Sequence, residues 1–327
     1  MGKRSYDNKM KKIPLKYKSL KTPLRYPGGK SRACTKMDDY FPKNLDNYVE
    51  FREPFLGGGS VALHVTKKYP HLKITVNDLY EPLVNFWVTL QTFGDELTEK
   101  LKQYKLTHPD PPKEDRKVEG THFPAKELFL NSKEVINDTS LDSVERAAAF
   151  YIVNKCSFSG LTESSSFSKQ ASVANFSMRG IEKLPDYSEL ISHWHINAYS
   201  YEHLMENDIH DGLFMYLDPP YYIKDNLYGH KGSMHKGFDH DKFAADCSNH
   251  MNIDMMISYN SDQFVKERFV PRLCWGCEPS SSEERLWHFV DFGLTYTMRS
   301  TGEYMRNQKK RQELLLFNYN PPPSYEI

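Results

Sequence analysis

The sequence predicts an α/β fold in which a sheet, parallel at least in part, is flanked by helices and interrupted by an insertion. Three observations predict it. A strand, a glycine turn, a helix and a second strand follow one another between residues 47 and 76. The texture then changes over residues 102–195, and strand–helix alternation resumes at residue 213. Two strands joined through a helix form a βαβ unit, and such units build parallel sheets.

The elements follow in chain order. Asn47–Phe55 (NYVEFREPF) reads as a short strand running into Leu56–Ser60 (LGGGS), and a helical pattern covers Val61–Tyr69. Leu72–Val76 (LKITV) is a second strand that ends in Asn77-Asp78, and Glu81–Leu101 is expected as one helix with apolar Leu83, Val84, Phe86, Trp87 and Leu90. From Lys102 to His195 come the Pro-rich Pro109–Pro112, a charged stretch, a helix-like run at Ser143–Val153 and a Ser-rich segment, Ser157–Ser177, with little periodicity. We read this part as an inserted domain. Leu213–Leu217 (LFMYL) is a strand, followed by a helix at Asp241–Met251, a strand at Ile253–Ser258 and two late strand candidates, Phe289–Met298 and Glu313–Tyr319. The expected division is therefore a basic arm (1–20), a core built from both ends of the chain (21–101 and 196–320), the insertion (102–195) and a Pro-rich tail (321–327).

Composition narrows the class. A chain of 327 residues suits one large domain or a core plus an insertion. With 39% hydrophobic and 13% aromatic residues it has material for a core, so full-length disorder is excluded. No run approaches the roughly 18–20 apolar residues that cross a bilayer, and the opening MGKRSYDNKMKKIPLKYK has no apolar stretch of the signal type. A soluble intracellular protein without a membrane partner is expected. The five scattered cysteines are expected as reduced thiols. Cys274-Trp-Gly-Cys277 lacks the two further ligands of a structural zinc site, so no metal is expected. The net charge of zero conceals an asymmetry: residues 1–36 carry twelve Lys/Arg against the single Asp7, +11, so the remainder carries −11. A basic arm suits a polyanion, although residues 1–20 taken alone also read as a solvated tail.

Three constellations carry chemistry. In Glu53-Pro-Phe55-Leu-Gly57-Gly-Gly59-Ser the glycines permit a tight strand-to-helix turn and close approach of a ligand, and Asp78 follows at a spacing that suits a carboxylate on the ribose hydroxyls of an adenosyl group. The same glycines also fit a nicotinamide site or a turn made only for packing. Asp218-Pro219-Pro220-Tyr221 ends an apolar strand: two prolines remove two backbone donors, leaving carbonyls and the Asp218 carboxylate as acceptors for an amino group, with Tyr221 placed to stack on a planar ring. A rigid turn with a capping Asp is the alternative. Leu24-Arg25-Tyr26-Pro27-Gly28-Gly29-Lys30-Ser31 ends like a phosphate loop but has Leu24 where that loop requires glycine, so a Walker A site is rejected. What remains is Lys30 on a glycine turn, able to meet a carboxylate or phosphate, and Tyr26, able to lie against the cofactor or a base.

The order RYPGGK, EPFLGGGS, ND, an insertion and DPPY resembles the Dam-like (D12 class) DNA adenine-N6 methyltransferases. The resemblance runs from about Pro23 to Tyr319 and includes Asn154–Leu161 (NKCSFSGL), Ser258–Asp262 (SYNSD) and Glu313–Tyr319 (ELLLFNY). It implies a Rossmann-like methyltransferase fold with a mixed sheet and an inserted, mostly helical target-recognition domain. It also implies S-adenosylmethionine as donor, held by Tyr26, Lys30, Glu53, Phe55, Gly57, Gly59, Asp78 and Asp218, and double-stranded DNA as partner, its target adenine flipped out to meet Asp218, Pro219, Pro220 and Tyr221. A cognate restriction endonuclease is a further partner that it admits. DPPY by itself also suits an RNA or N4-cytosine amino-methyltransferase, and a catalytically silent DNA-binding relative is the rival from another class.

For DNA, relatives commonly carry Asn-Gly-Leu with an arginine two residues beyond. Here Phe158-Ser159-Gly160-Leu161-Thr162-Glu163 puts Ser159 in place of the amide and Glu163 in place of the cation, so GATC is not the default site. A carboxylate at Glu163 suits a cytosine amine or simply caps within the insertion. Phe158 is a candidate wedge, and Arg25 a candidate reader of guanine. Arg299 and Arg306, with Lys309–Arg311, suit backbone phosphates. Tyr222–Phe238 reads as a lid or as an ordinary surface loop. The PPSY of the tail matches a WW-ligand pattern by letter only.

Overall fold

Runs of Val, Ile, Leu, Met and Phe make strands buried on both faces, and they form the centre of the sheet. The strands are β1 (Glu50–Glu53), β2 (Lys73–Asn77), β3 (His195–Asn197), β4 (Leu213–Leu217), β5 (Asp254–Asn260), β6 (His288–Phe292) and β7 (Glu313–Phe317). In this computed structural model, which describes residues 14–26, 28–160, 165–221, 237–270, 287–293 and 313–319, they form one seven-stranded sheet in the order β3-β2-β1-β4-β5-β7-β6. Every adjacent pairing from β3 to β5 is parallel, and β7 runs antiparallel between β5 and β6. The sheet is mixed and flanked by helices, as the sequence predicts. Strand order reverses between β1 and β4, with β2 and β3 laid down on one side and β5 on the other, and in open α/β sheets the crevice at such a switch point, outside the carboxyl ends of the strands, is where ligands bind.

The helices, in chain order, are α1 (Leu15–Lys18), α2 (Cys34–Met37), α3 (Ser60–Lys68), α4 (Glu81–Thr92), α5 (Gly94–Thr107), α6 (Pro124–Val135), α7 (Ser143–Cys156), α8 (Lys169–Asn175), α9 (Met178–Ile181), α10 (Leu184–Leu190), α11 (Tyr201–Glu206), α12 (His240–Asn249) and α13 (Gln263–Phe269). The single helix expected over 81–101 is a correction: it breaks at Phe93, and its second half runs on to Thr107. The break follows from packing. A Cβ on Gly94 would lie 2.5 Å from the Ser188 hydroxyl of α10, so this glycine lets α10 approach and starts a new helix there. The strand β3 was not legible in the sequence, because three residues (HIN) at a half-buried edge carry no alternation to read.

The helices of residues 102–195 share a core with the sheet. On α4, Phe86 stacks against Tyr151 of α7 at 6.1 Å, and Trp87 packs on Trp194 at 5.7 Å. From Arg146 to Cys156 every residue of α7 is buried, the pattern of a helix covered on all sides. Its start is capped by the Asp142 carboxylate, which accepts from the Val144 amide at 2.8 Å. Residues 14–20 of the expected arm belong to the fold: Tyr17 and Leu20 are buried, and Lys16 pairs with Glu189 of α10. The second face of the sheet is covered by α12 and α13 through Phe243, Cys247, Val265 and Phe269.

β1 carries charge into the middle of the sheet. Arg52 donates to Glu50 at 3.0 Å and to the Leu204 and Asn207 carbonyls that end α11, while Thr75 of β2 also donates to Glu50. This buried network fastens α11 beside the switch point. Cys34, Cys156 and Cys247 are free thiols, and the Cys274–Cys277 pair lies outside the described residues. No helix among the described residues is long and apolar enough to cross a membrane, and no cluster of three or more metal-ligating side chains occurs among them.

Candidate active site

The two glycine turns lie one on the other. Gly57 (φ +48°) and Gly59 (φ +65°) need the left-handed backbone region, and the turn they make points the start of α3 away from β1. Tyr26 lies across this turn: a Cβ on Gly57 or Gly58 would approach the Tyr26 side chain to 2.8 and 2.9 Å. Thr22 donates to the Gly58 carbonyl, and the Ser31 and Ser60 hydroxyls meet at 2.9 Å. The RYPGGK segment is thereby laid over LGGGS. Gly59 has another role, since its Cβ would strike the Trp87 indole at 2.7 Å; this glycine faces α4 and the core, not the cavity. Gly59→Ala is expected to cost about 2 kcal/mol or more through backbone strain and overpacking, with the loss read as an earlier urea-unfolding midpoint at unchanged slope.

From this turn Lys30 reaches the end of β4. Its ammonium donates to both Asp218 carboxylate oxygens at 2.9 Å, to the Tyr221 hydroxyl at 2.6 Å and to the Gly28 carbonyl at 3.0 Å. Ser258 of β5 donates to Asp218 Oδ1 at 2.8 Å, so Oδ2 keeps more lone-pair capacity than Oδ1. Tyr221 donates to Glu313, the first residue of β7, at 2.6–2.8 Å from the two carboxylate oxygens, and Glu313 lies 3.8 Å from the Lys30 ammonium. Lys30 and Glu313 are 3% and 2% exposed at the side chain, whereas Asp218 is 22% exposed. A buried cation thus stands between two carboxylates, and Asp218 is the one that opens outward. Burial works against the Lys30 charge, but Asp218 and Glu313 overcome it and hold the ammonium above its ordinary range. Burial pushes the Glu313 carboxyl up to about 7, with Lys30 opposing and Asp218 adding to the rise.

Asp218 opens into a cavity of about 390 Å³ at the carboxyl ends of β1, β2 and β4. Of the residues singled out in the sequence, Tyr26, Lys30, Glu53, Phe55, Gly57, Asp78, Asp218, Pro219, Pro220 and Tyr221 all line it; Gly59 does not. The Asp78 carboxylate accepts from the Gly57 amide at 2.8 Å and from the Tyr80 amide at 3.0 Å. Glu53 accepts from the Ala62 amide at 2.7 Å. Burial raises both carboxyls, and the nearby Asp218 raises Glu53 further. Phe55 stacks on Tyr201 at 5.3 Å and meets Phe238 edge-on.

Several lining residues were not found from the sequence. Asn77 ties three strand ends together, donating to the Pro54 and Tyr199 carbonyls and accepting from the Tyr199 amide. Tyr199 and Tyr201 follow the unread strand β3, which is why they were missed. Glu202 accepts from Lys242 at 2.9 Å with one oxygen, while its second oxygen is buried and accepts no hydrogen bond among the described residues. Glu313 was quoted in the sequence only as part of a closing strand; a carboxylate opening an apolar strand was the available signal.

The third segment to converge here is residues 154–160, from the stretch expected as an insertion. Asn154, at the end of α7, accepts from the Arg25 amide at 2.9 Å and donates to the Arg25 carbonyl at 2.6 Å and the Gly160 carbonyl at 3.0 Å. The Arg25 guanidinium donates to the Ser157 carbonyl at 2.7 Å. Arg25, expected to be available for a base, therefore spends one donor clamping the insertion to the first motif. Phe158 is 46% exposed beside this clamp. Leu161, Glu163, Arg299, Arg306 and the Ser159 side chain lie outside the described residues, as does the expected lid apart from Gly237 and Phe238, which line the cavity.

The family described as D12 class N6 adenine-specific DNA methyltransferase matches residues 26–272. Among curated relatives, the type II methyltransferase M.MjaIII of Methanocaldococcus jannaschii is 26% identical over 208 residues, which are 62% of this chain and 69% of the relative. The type II methyltransferase M1.LlaDCHI of Lactococcus lactis subsp. cremoris is 22% identical over 77% of this chain and 85% of its own length. The DNA N-6-adenine-methyltransferase of Escherichia phage P1 is 24% identical over 49% of this chain and 18% of its own length. With a match that spans both glycine turns, residues 102–195 and DPPY, the chain belongs to the D12 class N6 adenine-specific DNA methyltransferase family.

Proposed function

We propose that the cavity holds S-adenosylmethionine beside an adenine turned out of duplex DNA, and that Asp218 accepts the N6 amine of that adenine. The observation that carries this reading is that Asp218, the one outward-facing member of a buried ion network, opens into the same cavity as Asp78 and the glycine turn. The residues present fit such a ligand. The volume lies in the range of small-molecule sites, Phe55 and Tyr201 offer aromatic faces, and the unengaged oxygen of Glu202 is an acceptor for a ligand amine. When bound, the donor supplies an electrophilic methyl group on a sulfonium.

The protein's contribution is placement and charge. Adenine N6 is a weak nucleophile because its lone pair is delocalised into the ring, and it is unreachable inside a stacked duplex. Hydrogen bonds from N6 to Asp218 Oδ2 and to the Pro219 carbonyl favour a more pyramidal nitrogen and stabilise the positive charge that develops on it. The glycine turn and Asp78 hold the donor so that attack is in line, and that orientation supplies much of the acceleration. In the same reading the insertion recognises DNA, Phe158 fills the space left by the flipped base, and the recognition site differs from GATC at an outer base pair because Glu163 stands where relatives carry a cation. The relatives named type II enzymes support a partnership with a restriction endonuclease.

Incubating the protein with methyl-labelled donor and duplex DNA or RNA, then digesting to nucleosides, tests the reaction; label in N6-methyldeoxyadenosine is the expected result, and label in N4-methylcytosine or in RNA alone would overturn it. Sequencing the methylated positions reads the site.

Asp78→Ala is expected to act on cofactor affinity, raising its KM about 10- to 100-fold, because a charged hydrogen-bond acceptor for the ribose is lost and the Gly57 amide loses its partner. Saturating cofactor should restore turnover to within about fivefold, since a ribose carboxylate holds ground and transition states alike. A collapsed turnover number at unchanged KM would assign Asp78 another role.

A further inference from the structure

We propose that Glu313 is a positioning residue for methyl transfer: its carboxylate, behind the DPPY turn, anchors the Tyr221 hydroxyl and shares the Lys30 ammonium with Asp218, so that Asp218 retains acceptor strength for the adenine amine. The proposal rests on the reading of Asp218 as the N6 acceptor.

The geometry supports it in three ways. Tyr221 spans the site, accepting from Lys30 at 2.6 Å and donating to Glu313 at 2.6–2.8 Å, so the orientation of the DPPY tyrosine is set by the residue behind it. Among the described residues Lys30 is the one cation in this network, and it stands 2.9 Å from Asp218 and 3.8 Å from Glu313. Glu313 is nearly inaccessible, so its charge is compensated by these neighbours and little by solvent. The titratable groups facing it among the described residues are Lys30 from the turn before α2, and Asp218 and Tyr221 from the turn after β4. Its partners across β5 and β6, Asn260 and Phe292, bring no titratable group.

The state of Glu313 decides how Lys30 divides its charge. With Glu313 ionised, one ammonium serves two carboxylates, and Asp218 is left an effective acceptor. With Glu313 protonated, Lys30 serves Asp218 alone, and the Tyr221 hydroxyl is left with a neutral carboxyl, a weaker acceptor that holds it less firmly. Burial brings this carboxyl up to about 7, which places the change within the working range of a neutral-pH enzyme. Activity is carried by the ionised form, so turnover is lost as pH falls through that value.

The test is the pH profile of kcat on the full chain with duplex DNA. The wild type is expected to show an acidic limb with a midpoint near 7. Glu313→Gln is expected to lower kcat about tenfold or more, to abolish that limb, and to change KM for cofactor and DNA less than about threefold. Tyr221→Phe removes a hydrogen bond that favours the charged carboxylate, so its midpoint is expected to move to higher pH. A folded Glu313→Gln enzyme with wild-type kcat and an unmoved limb would overturn the proposal, and where that variant does not fold, a Tyr221→Phe midpoint equal to the wild type does so. Absence of methyl transfer to adenine by the wild-type protein is the separate result that overturns the underlying reading of the site.

Discussion

Asp218→Ala is expected to lower turnover by about two orders of magnitude or more, the usual consequence of removing one preorganised electrostatic partner from a reacting centre. The substitution deletes the acceptor that faces the cavity and spares the groups behind it. Lys30 keeps the Gly28 carbonyl, the Tyr221 hydroxyl and the nearby Glu313 carboxylate, so its charge is still compensated and the fold should stand. Cofactor and DNA affinity are expected to change less than about tenfold, because an interaction made mainly as charge develops on N6 contributes to kcat more than to binding. Single-turnover methylation at saturating cofactor and DNA, with separate equilibrium binding of each, measures the two parts. Near-normal turnover would place the reacting centre elsewhere in the cavity.

Lys30→Met is expected to be more damaging, because it removes the cation and leaves the acids. Asp218 and Glu313 would then face one another across a nearly dry site, with Glu53 a third carboxyl nearby. Breaking a buried pair by removing one partner costs about 3–5 kcal/mol, and turnover should fall about a thousandfold as both the Tyr221 anchor and the electrostatics of Asp218 change. The stability effect has a definite pH dependence. Loss of the cation raises the Glu313 carboxyl further above its unfolded value, so the added penalty belongs to the ionised form, is present above the folded pKa, and is relieved as pH falls through it. Relative to the wild type, the variant's deficit in urea unfolding should therefore narrow between about pH 8 and about pH 6. A deficit that is absent, or that widens toward acid, would show that the Lys30 ammonium does not compensate Glu313.

Much of the site was legible because its chemistry is local. The glycine turn, Asp78 and DPPY are each encoded within a few consecutive residues, and turn conformation, the loss of backbone donors at proline and the strand that precedes each motif depend on those residues alone. The break at Phe93 was not legible, since Gly94 serves an approach by Ser188 from another helix. Nor was the purpose of the individual glycines: Gly57 and Gly58 make room for Tyr26, and Gly59 makes room for Trp87, where the sequence left a ligand turn and a packing turn both open.

The sequence by itself determined the α/β class, the family and which short motifs carry carboxylates, a lysine and aromatic rings. The tertiary structure alone decided how those groups pair. Lys30 meets Asp218 across 188 positions of sequence, Tyr221 meets Glu313 across 92, and Arg25 meets Asn154 across 129. No local pattern encodes such partners. They are selected because a charge removed from water must be compensated by whichever group the sheet order brings beside it, and it is the antiparallel entry of β7 between β5 and β6 that carries Glu313 to the back of the DPPY turn.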